Sequence, residues 1–375
     1  MNDPQPAPAP ADRRLRIGFL DSWLQDSASG SGTAVAIGGL AAALAARGHR
    51  VERIVPLDGW PRPLLLRRLW FNVTLPRRLQ GPAGSFPYDL VVGFDIDGFR
   101  LAHRCPVPYV CSIKGVLAEE ARCEAGLARL SLWALSRLEA LHARRAPRVF
   151  STSAYCRERI TAHYGVPASR QAVVPEGIDP SAWAVDAPAA GEAGRDPCTV
   201  LCVARQYPRK RITDLIAAFP LVLVRLPQAQ LVVIGDGPEH GALARQVEQL
   251  GLAGAVRLLG ALPSDREVRA WYRRASIFCL PSIQEGFGIV FLEAMASGLP
   301  VVSTTATAIP EVVPDGRAGL LVPPRDPPAL AAAIVRLLSD AALQERCRSF
   351  GLEQARRFSW DRVAALFLEA VATAG

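Results

Sequence analysis

Two glutamates and two glycines lie close together where one apolar run of the sequence ends and the next begins. Glu285 stands in the short stretch between the runs, Gly286 and Gly288 follow it, and Glu293 lies within the second run. Glycines let an anion approach the main chain, and carboxylates accept hydrogen bonds from hydroxyl groups. The residues favour a ligand with both phosphate and hydroxyls. The glutamate spacing alone would favour a tight turn with two solvated side chains, but the whole string is more specific.

The apolar pattern predicts the elements that position these residues. Residues 276–280 are predicted to form a buried strand, and residues 289–296 the helix that follows it. The N–H groups of Phe287, Gly288 and Ile289 would then open a helix, where they have no partner within the helix and form the positive end of its dipole. We therefore expect a diphosphate at this turn.

Lysine is rare in this chain, because Lys114 and Lys210 are the only two among 43 basic residues. A lysine kept in an arginine-rich chain indicates a position that needs a compact ammonium. Lys210 and Arg205 both follow the predicted strand 199–204, where positive charge would stabilise a departing diphosphate. The alternative is a solvated basic loop.

Two further glycine turns could border the same ligand. Gly30 and Gly32 lie between the predicted strand 15–20 and the next helix, and Gly235 and Asp236 follow another predicted strand. About ten residues separate the first strand from its glycines, which weakens a dehydrogenase interpretation because that fingerprint begins directly after the strand. A plain strand–helix turn is the alternative at both places.

The string EGFGIVFLEAMASGLPVV, followed by IPEVV and DGRAGLLVPPRD, resembles the donor-site signature of retaining GT-B glycosyltransferases of family 4. The resemblance covers nearly the whole chain, including VARQYPRKR and GSGTAVAIGGLAAALAARGH. It implies that Glu285 meets hydroxyls of the donor sugar and that Glu293 holds the ribose. It also implies that main-chain amides near Gly288 bind the diphosphate, which Arg205 and Lys210 neutralise as it leaves.

Two positions depart from the family pattern. Many relatives have histidine where CSIKG has Lys114, and that histidine touches the donor sugar or the reacting centre. Asparagine is commoner where VPEGID has Glu176. We predict that Lys114 lies in the active site, with an ordinary surface lysine as the alternative. Both changes are compatible with an unusual donor or acceptor.

Other polar motifs are predicted to play smaller parts. The pair Asp95 and Asp97 matches the metal-binding signature of a different glycosyltransferase fold, but it follows a strand of the first half, so we interpret it as an acceptor-facing or structural loop. Glu311 is placed either near the donor or at a solvent-facing helix start. The eight cysteines lack paired CxxC spacing. We expect reduced thiols, no metal and no cofactor.

The length predicts two domains, and the alternation of predicted strands and helices predicts an α/β chain of two doubly wound Rossmann-like halves with a cleft between them. The expected parts are a flexible tail (1–13), an acceptor-side domain (14–183), a linker (184–197), a donor-binding domain (198–357) and a C-terminal helix (358–375). By the resemblance, that helix crosses back onto the first domain. The remaining predicted strands are 51–55, 90–94, 108–112, 148–152, 230–234, 256–260, 301–303 and 319–322.

The net charge of +8 does not predict nucleic-acid binding, because the arginines are spread through both halves without interleaved aromatic residues. In residues 62–79, five arginines accompany leucines, Trp70 and Phe71. This stretch could rest on an anionic membrane, or be a packed helix with solvated arginines. With no apolar run long enough to span a bilayer and no signal peptide at the start, we expect a cytoplasmic protein with possible peripheral contact at the inner membrane face.

The sequence thus predicts a metal-independent, retaining transfer of a sugar from a nucleotide-sugar donor to a hydroxyl on a glycan, lipid-linked or small-molecule acceptor. One alternative is a GT-B phosphorylase or epimerase, and a phosphorylase of the glycogen type would need one of the two lysines for pyridoxal phosphate. A non-catalytic nucleotide-sugar-binding module is the other. The sequence leaves open whether the base is uridine, guanosine or adenosine.

Overall fold

A computed structural model describes residues 14–23, 32–57, 64–79, 85–184 and 195–373. Within these ranges the chain forms two sheets, each of six parallel strands, with helices packed around them. The predicted α/β architecture of two doubly wound halves is confirmed. The predicted tail, most of the linker and Gly30 lie outside the described residues.

The first sheet has the strand order β2-β1-β3-β4-β5-β6. The order reverses between β1 and β3, and ligands of doubly wound folds bind at the carboxyl ends of the strands beside such a reversal. The elements are β1 (Arg16–Leu20), α1 (Gly32–Ala46), β2 (Arg50–Ile54), α2 (Leu64–Arg78), β3 (Leu90–Phe94), β4 (Tyr109–Ile113), α3 (Leu117–Arg122), α4 (Gly126–Arg145), β5 (Arg148–Ser151), α5 (Ala154–Tyr164), β6 (Gln171–Val173) and α6 (Pro180–Trp183).

The second sheet has the order β12-β11-β10-β7-β8-β9, which reverses between β7 and β10. Its elements are β7 (Thr199–Val203), α7 (Ile212–Arg225), β8 (Gln230–Ile234), α8 (His240–Gln249), β9 (Val256–Gly260), α9 (Asp265–Arg274), β10 (Ile277–Cys279), α10 (Ile289–Ala296), β11 (Val301–Thr304), α11 (Ile309–Val312), β12 (Gly319–Val322), α12 (Pro327–Ser339), α13 (Ala341–Arg357) and α14 (Trp360–Ala372).

Most of the strands can be predicted from the sequence, because parallel strands with helices on both faces are buried on both sides and form continuous apolar runs. All five residues of β3, LVVGF, are buried, as are all five of β4. The strand β6 has only three residues, QAV, and begins with a glutamine. This strand was not predicted, since so short and mixed a run gives no periodic signal.

The last helix, α14, returns to the first half of the chain as predicted. Phe367 is buried in the cluster that contains Ile37 of α1. Trp360 is wedged between two glycines: a Cβ atom at Gly39 would lie 2.2 Å from its ring, and one at Gly177 would lie 2.4 Å from it. The crossing of α14 thus depends on glycine at both contact points.

Candidate active site

Glu285 lies in the loop between β10 and α10 and is held from three sides. Its Oε1 atom lies 2.6 Å from Lys210 Nζ and accepts a hydrogen bond of 2.7 Å from Ser282 Oγ. Its backbone N–H donates to Thr307 Oγ1 at 3.0 Å. The Glu285 side chain is only 8% exposed. Its carboxylate is therefore fixed in place.

Lys210 and Arg205, which the sequence placed together, differ in their surroundings. Lys210 ends the short 3-10 turn Pro208–Lys210 after β7, and its side chain is 13% exposed because it pairs with Glu285. Arg205 is exposed on the same loop, with its guanidinium 5.9 Å from the ring of Tyr207. The structure brings Lys210, but not Arg205, into contact with Glu285 among the described residues.

Arg209 is a third basic residue of this loop and was not predicted as a site residue. Its Nη2 atom lies 3.7 Å from Glu120 Oε1 of the first half of the chain, and its carbonyl accepts a hydrogen bond from Ile283 N. Burial would lower the pKa of Arg209, but the carboxylates of Glu120 and Glu285 outweigh burial and raise it. The run Arg209–Lys210–Arg211 was the only signal in the sequence.

The glycine turn before α10, residues 286–288, contains two glycines that its backbone conformation and packing require. Gly288 has a φ of 93° and caps α10, and a Cβ atom there would lie 2.6 Å from the Phe291 ring. A Cβ atom at Gly286 would lie 2.8 Å from the carbonyl oxygen of Lys114. Ile289 begins the helix, whose first N–H groups have no intrahelical partner.

Phe287, predicted at the donor site, faces away from solvent. Its side chain is 4% exposed and contacts the ring of Phe358, with the centroids 5.4 Å apart. Phe358 lies just before α14. Phe287 can therefore offer a ligand its backbone but not its ring, while the ring ties the glycine turn to the C-terminal segment.

Glu293 lies in α10, and its Oε2 atom accepts a 3.0 Å hydrogen bond from the hydroxyl of Tyr272. Burial raises the pKa of Glu293 to about 7, although the Tyr272 hydrogen bond opposes the rise. Tyr272 is fully buried between Phe278 and Trp183, at centroid distances of 5.8 and 5.1 Å. Tyr272 was not predicted as a site residue, because nothing in α9 marks it as different from a core aromatic residue.

The turn at Gly235 and Asp236 packs against the loop that carries Arg205. Gly235 has a φ of 117°, and a Cβ atom there would lie 2.1 Å from the carbonyl oxygen of Ala204. Gln206 donates from Nε2 to Gly235 O at 2.6 Å and from its backbone to Asp236 O at 3.0 Å. Backbone packing accounts for Gly235, and the Asp236 side chain is 58% exposed.

The glycine loop of the first half is described only in part. Gly32 is the first residue of α1, and a Cβ atom there would have open space around it. Gly30 lies outside the described residues. Packing among the described residues therefore does not require glycine at position 32.

Asp95 and Asp97 hold loops of the first half together. Asp97 is buried, accepts hydrogen bonds from the backbone and hydroxyl of Ser22 at 2.8 and 2.7 Å, and lies 3.6 Å from Arg68. Asp95 accepts a 2.9 Å hydrogen bond from the backbone of Lys114. Within the described ranges, no group of three or more His, Cys, Asp or Glu side chains is arranged to hold a metal ion. The contacts agree with the structural interpretation of this pair.

Lys114 and Glu176, the two departures from the family pattern, are in direct contact. Lys114 Nζ lies 3.0 Å from Glu176 Oε1 and 5.5 Å from the centroid of the Phe94 ring. The two charged side chains are 7% and 6% exposed. Burial raises the pKa of Glu176, although Lys114 opposes the rise. The side chain of Lys114 is thus buried against Glu176 rather than exposed at the surface.

The two halves of the chain touch at the glycine turn. Thr152 Oγ1 and Ser153 Oγ, which precede α5, donate to the carbonyl oxygen of Gly286 at 3.0 and 2.8 Å. The carboxylate of Glu311 accepts hydrogen bonds of 2.7 and 2.8 Å from the first two N–H groups of α5. Glu311 thus caps a helix of the other half, a role that neither sequence alternative anticipated.

Comparison with known proteins identifies the family to which the chain belongs. Residues 197–340 match the family model described as Glycosyl transferases group 1, and residues 30–182 match the model described as Glycosyltransferase Family 4. An uncharacterized glycosyltransferase of Methanocaldococcus jannaschii is 30% identical over 84% of this chain and 83% of that protein.

Phosphatidyl-myo-inositol mannosyltransferase of Mycolicibacterium smegmatis is 36% identical over 53% of this chain and 51% of that protein. The chain spans about half the length of the phosphatidyl-myo-inositol mannosyltransferases that it matches.

Solved structures show the same fold over nearly the whole chain. Anabaena HepE in complex with UDP and glucose superposes with a TM-score of 0.72 at 20% identity, covering 96% of this chain and 100% of HepE. Sucrose-phosphate synthase from Thermosynechococcus elongatus superposes with a TM-score of 0.75 at 23% identity, covering 94% and 97%. This chain therefore has the GT-B fold and belongs to the family 4 glycosyltransferases.

Proposed function

We propose that this protein transfers a sugar from a nucleotide-sugar donor to a hydroxyl acceptor, with retention of configuration and without a metal ion. The observation that carries the proposal is the contact between Lys210 and Glu285, 2.6 Å long, beside the glycine turn that opens α10. It joins a cation, a carboxylate and free helix N–H groups at one crevice, as a ligand with phosphate and hydroxyls requires.

The contacts support distinct roles along the donor. The diphosphate binds the N–H groups of residues 286–289, with Lys210 and Arg205 beside it. Glu293 accepts hydrogen bonds from the ribose, and Glu285 from hydroxyls of the transferred sugar. Contacts that strengthen as the nucleoside diphosphate leaves stabilise the transition state more than the ground state and so accelerate transfer.

Side-chain charge supports the metal-independent part of the proposal. Lys210, Arg205 and Arg209 all lie on the loop after β7, and they supply the positive charge that a divalent ion supplies to diphosphates elsewhere. The carboxylates of Asp95 and Asp97 are already engaged by protein donors. The diphosphate therefore has cationic partners in the chain itself.

The arrangement of Glu285 supports retention rather than a single displacement by an activated acceptor. Its carboxylate already pairs with Lys210 and accepts from Ser282, which suits holding a sugar more than removing a proton. In our proposal an oxygen of the departing diphosphate takes the acceptor proton on the same face of the sugar. Glu285 then positions the sugar for that step.

Release of nucleoside diphosphate from UDP-, GDP- and ADP-sugars, with a chelator present, tests the activity. We expect the wild-type protein and Glu248→Gln, which alters an exposed carboxylate of α8, to release one of the diphosphates. In Glu285→Gln, the rate of diphosphate release should be about 100-fold lower. Equal release by Glu285→Gln would contradict the assigned role, and a product of inverted configuration would overturn retention.

We also propose that the acceptor is presented at an anionic membrane surface, which α2 and α4 contact. Both helices pack on one face of the first sheet, where Phe71 of α2 and Ala143 of α4 join one buried cluster. Their outer sides carry six large apolar side chains that are each at least 50% exposed. These are Leu66, Trp70, Val73, Leu127, Leu130 and Trp133.

Charge supports an anionic surface as the partner. Helix α2 contains no acidic residue and ends in Arg77 and Arg78. In α4, the residues from Leu127 to Arg137 include Arg129 and Arg137 and no acidic residue. Exposed apolar residues with arginines and no carboxylates favour headgroups of anionic lipids. Within the described residues, no helix is long and apolar enough to cross a bilayer.

Co-sedimentation with vesicles tests this surface. Binding to vesicles that contain phosphatidylglycerol, and not to pure phosphatidylcholine, is the expected result. Leu66→Ser and Leu127→Ser together should weaken binding by about tenfold or more. Leu250→Ser, at an exposed position of the other half, is the matched control. Undiminished binding by the double variant would show that these helices are not the contact.

A further inference from the structure

Lys114 lies where the first half of the chain meets the glycine turn before α10. It directly follows β4, and its backbone N–H donates to Asp95 Oδ1 at 2.9 Å. Its carbonyl oxygen packs so closely on Gly286 that a Cβ atom there would lie 2.8 Å away. The backbone of Lys114 is therefore fixed against the turn that follows Glu285.

Glu176 lies where the segment after β6 meets the chain ahead of α14. It lies between β6 and Ile178, whose backbone bonds with Phe358 and Trp360 ahead of the returning helix. Gly177 packs directly on the Trp360 ring. The backbone beside Glu176 is thus held by hydrogen bonds and packing, and from there the Glu176 side chain reaches Lys114.

The pair between them is an unusual use of charge. Lys114 Nζ lies 3.0 Å from one carboxylate oxygen of Glu176 and 3.3 Å from the other. Both side chains are less than 8% exposed. Taking two charges out of water costs about as much as their attraction returns, so a buried ion pair is weak evidence of a stabilising role. The position of the pair beside the glycine turn before α10 indicates a role other than stability.

We propose that Glu176 is a positioning residue that holds the ammonium of Lys114 beside the glycine turn before α10. There the ammonium donates a hydrogen bond to an oxygen at the reacting end of the donor sugar. An ammonium on a flexible four-carbon chain has many rotamers, and a fixed carboxylate selects one of them. This inference rests on the proposed function and adds to it a second residue that acts through Lys114.

A cycle of variants tests the dependence of one residue on the other. Glu176→Gln keeps the size of the side chain and removes its charge, and Lys114→Met removes the ammonium. With the nucleotide sugar that the release assay identifies, each single variant should lower kcat by about tenfold or more and change the donor KM by about threefold or less. The double variant should be no slower than Lys114→Met, because Glu176 acts through Lys114.

Losses that multiply in the double variant would overturn the inference, as would a wild-type kcat in Glu176→Gln. Melting temperatures identify any variant whose loss of activity reflects unfolding. Glu176→Asp keeps the charge with a shorter reach and should recover part of the kcat lost in Glu176→Gln. No recovery in a folded Glu176→Asp protein would also count against the inference.

The pH dependence of kcat gives a readout that a merely structural pair would not move. The groups that face Glu176 are Lys114, which lowers its pKa, and Asp95, which raises it, and burial raises it most. As the pH falls through the raised pKa, Glu176 is protonated and releases Lys114, so kcat of the wild type should fall. Glu176→Gln should lack this acid limb, and an unchanged limb would overturn the inference.

Failure of this inference can be told apart from failure of the proposed function. If wild-type protein releases diphosphate from a nucleotide sugar but the losses in kcat multiply in the double variant, only the role of Glu176 is contradicted. If wild-type protein neither binds nor turns over any nucleotide sugar in the panel, the proposed function falls and this inference falls with it.

Discussion

Lys210 Nζ and Glu285 Oε1 lie 2.6 Å apart, and their ion pair joins the loops that follow β7 and β10. These two strands are neighbours at the place where the order of the second sheet reverses. Loops that diverge at such a reversal leave a crevice at the carboxyl ends of the strands. The pair therefore marks the position in the fold at which doubly wound sheets bind their ligands.

Replacement of Lys210 by alanine should remove most of the activity and leave the protein folded. The ammonium forms an ion pair with Glu285. In the proposed mechanism its loss leaves a departing diphosphate less stabilised, so we expect kcat to fall by about 100-fold. Ser282 still donates to the Glu285 carboxylate, so the loss of stability should be about 1–3 kcal/mol. Steady-state kinetics and thermal melting measure the two effects.

Lys210→Arg and Arg225→Ala complete this test. Arginine keeps the charge but not the compact ammonium, so Lys210→Arg should recover little activity. Arg225, exposed at the end of α7, should be replaceable without effect. Normal turnover in Lys210→Ala would remove Lys210 from the proposed mechanism.

Gly288→Ala should lower the stability of the protein and distort the glycine turn before α10. The residue has a φ of 93°, and the added methyl group would lie 2.6 Å from the Phe291 ring. We expect a loss of about 1–3 kcal/mol in the free energy of unfolding, measured with urea, together with weaker diphosphate binding. Gly251→Ala is the control, because Gly251 has a φ of 65° and no atom near the new methyl group.

If Gly251→Ala and Gly288→Ala lost equal stability, the contact with Phe291 would contribute nothing beyond backbone strain. A Gly288→Ala protein that binds diphosphate as tightly as the wild type would show that the turn is not the cradle.

Donor binding should depend on pH through Glu293, whose pKa burial raises to about 7. The ionised carboxylate accepts hydrogen bonds from ribose hydroxyls better than the protonated one, so affinity for nucleoside diphosphate should fall as the pH falls through that value. Tyr272→Phe removes a hydrogen bond that lowers this pKa, so its affinity should fall at a higher pH. Calorimetric titrations across the pH range measure both transitions.

The effect of Glu293 on stability without ligand has the opposite sign. A raised pKa means that the folded state binds the proton more tightly than the unfolded chain. The contribution of Glu293 to stability is therefore full below the ordinary pKa of 4.5 and is lost as the pH rises through about 7.

Donor affinity that does not change with pH would contradict the role of Glu293 at the ribose.

The elements of the fold could be predicted because their signals are local. Residues 230–234, 256–260, 319–322 and 289–296 were predicted with the bounds that the structure shows. Buried parallel strands are continuous apolar runs, and a glycine caps the helix α10. The three-residue strand β6 lacks such a run.

The candidate site was predictable only where a motif names its residues. The pairing of Lys114 with Glu176 joins positions 62 residues apart, and the Tyr272 hydrogen bond to Glu293 joins positions 21 apart. No local pattern encodes such contacts, because the topology of the sheets brings the residues together. Arg209 was missed for a related reason, since its partner Glu120 lies in the other half of the chain.

Glu311→Ala should weaken the contact between the two halves without affecting nucleotide binding to the second half. Its carboxylate accepts from the first two N–H groups of α5, at 2.7 and 2.8 Å, where the helix dipole favours negative charge. Sugar transfer needs both halves in place, so kcat should fall by about tenfold while the Kd of nucleoside diphosphate stays constant. Glu353→Ala, in an exposed ion pair of α13, should change neither quantity. A Glu311→Ala protein with wild-type kcat would show that these hydrogen bonds do not limit the working arrangement of the two halves.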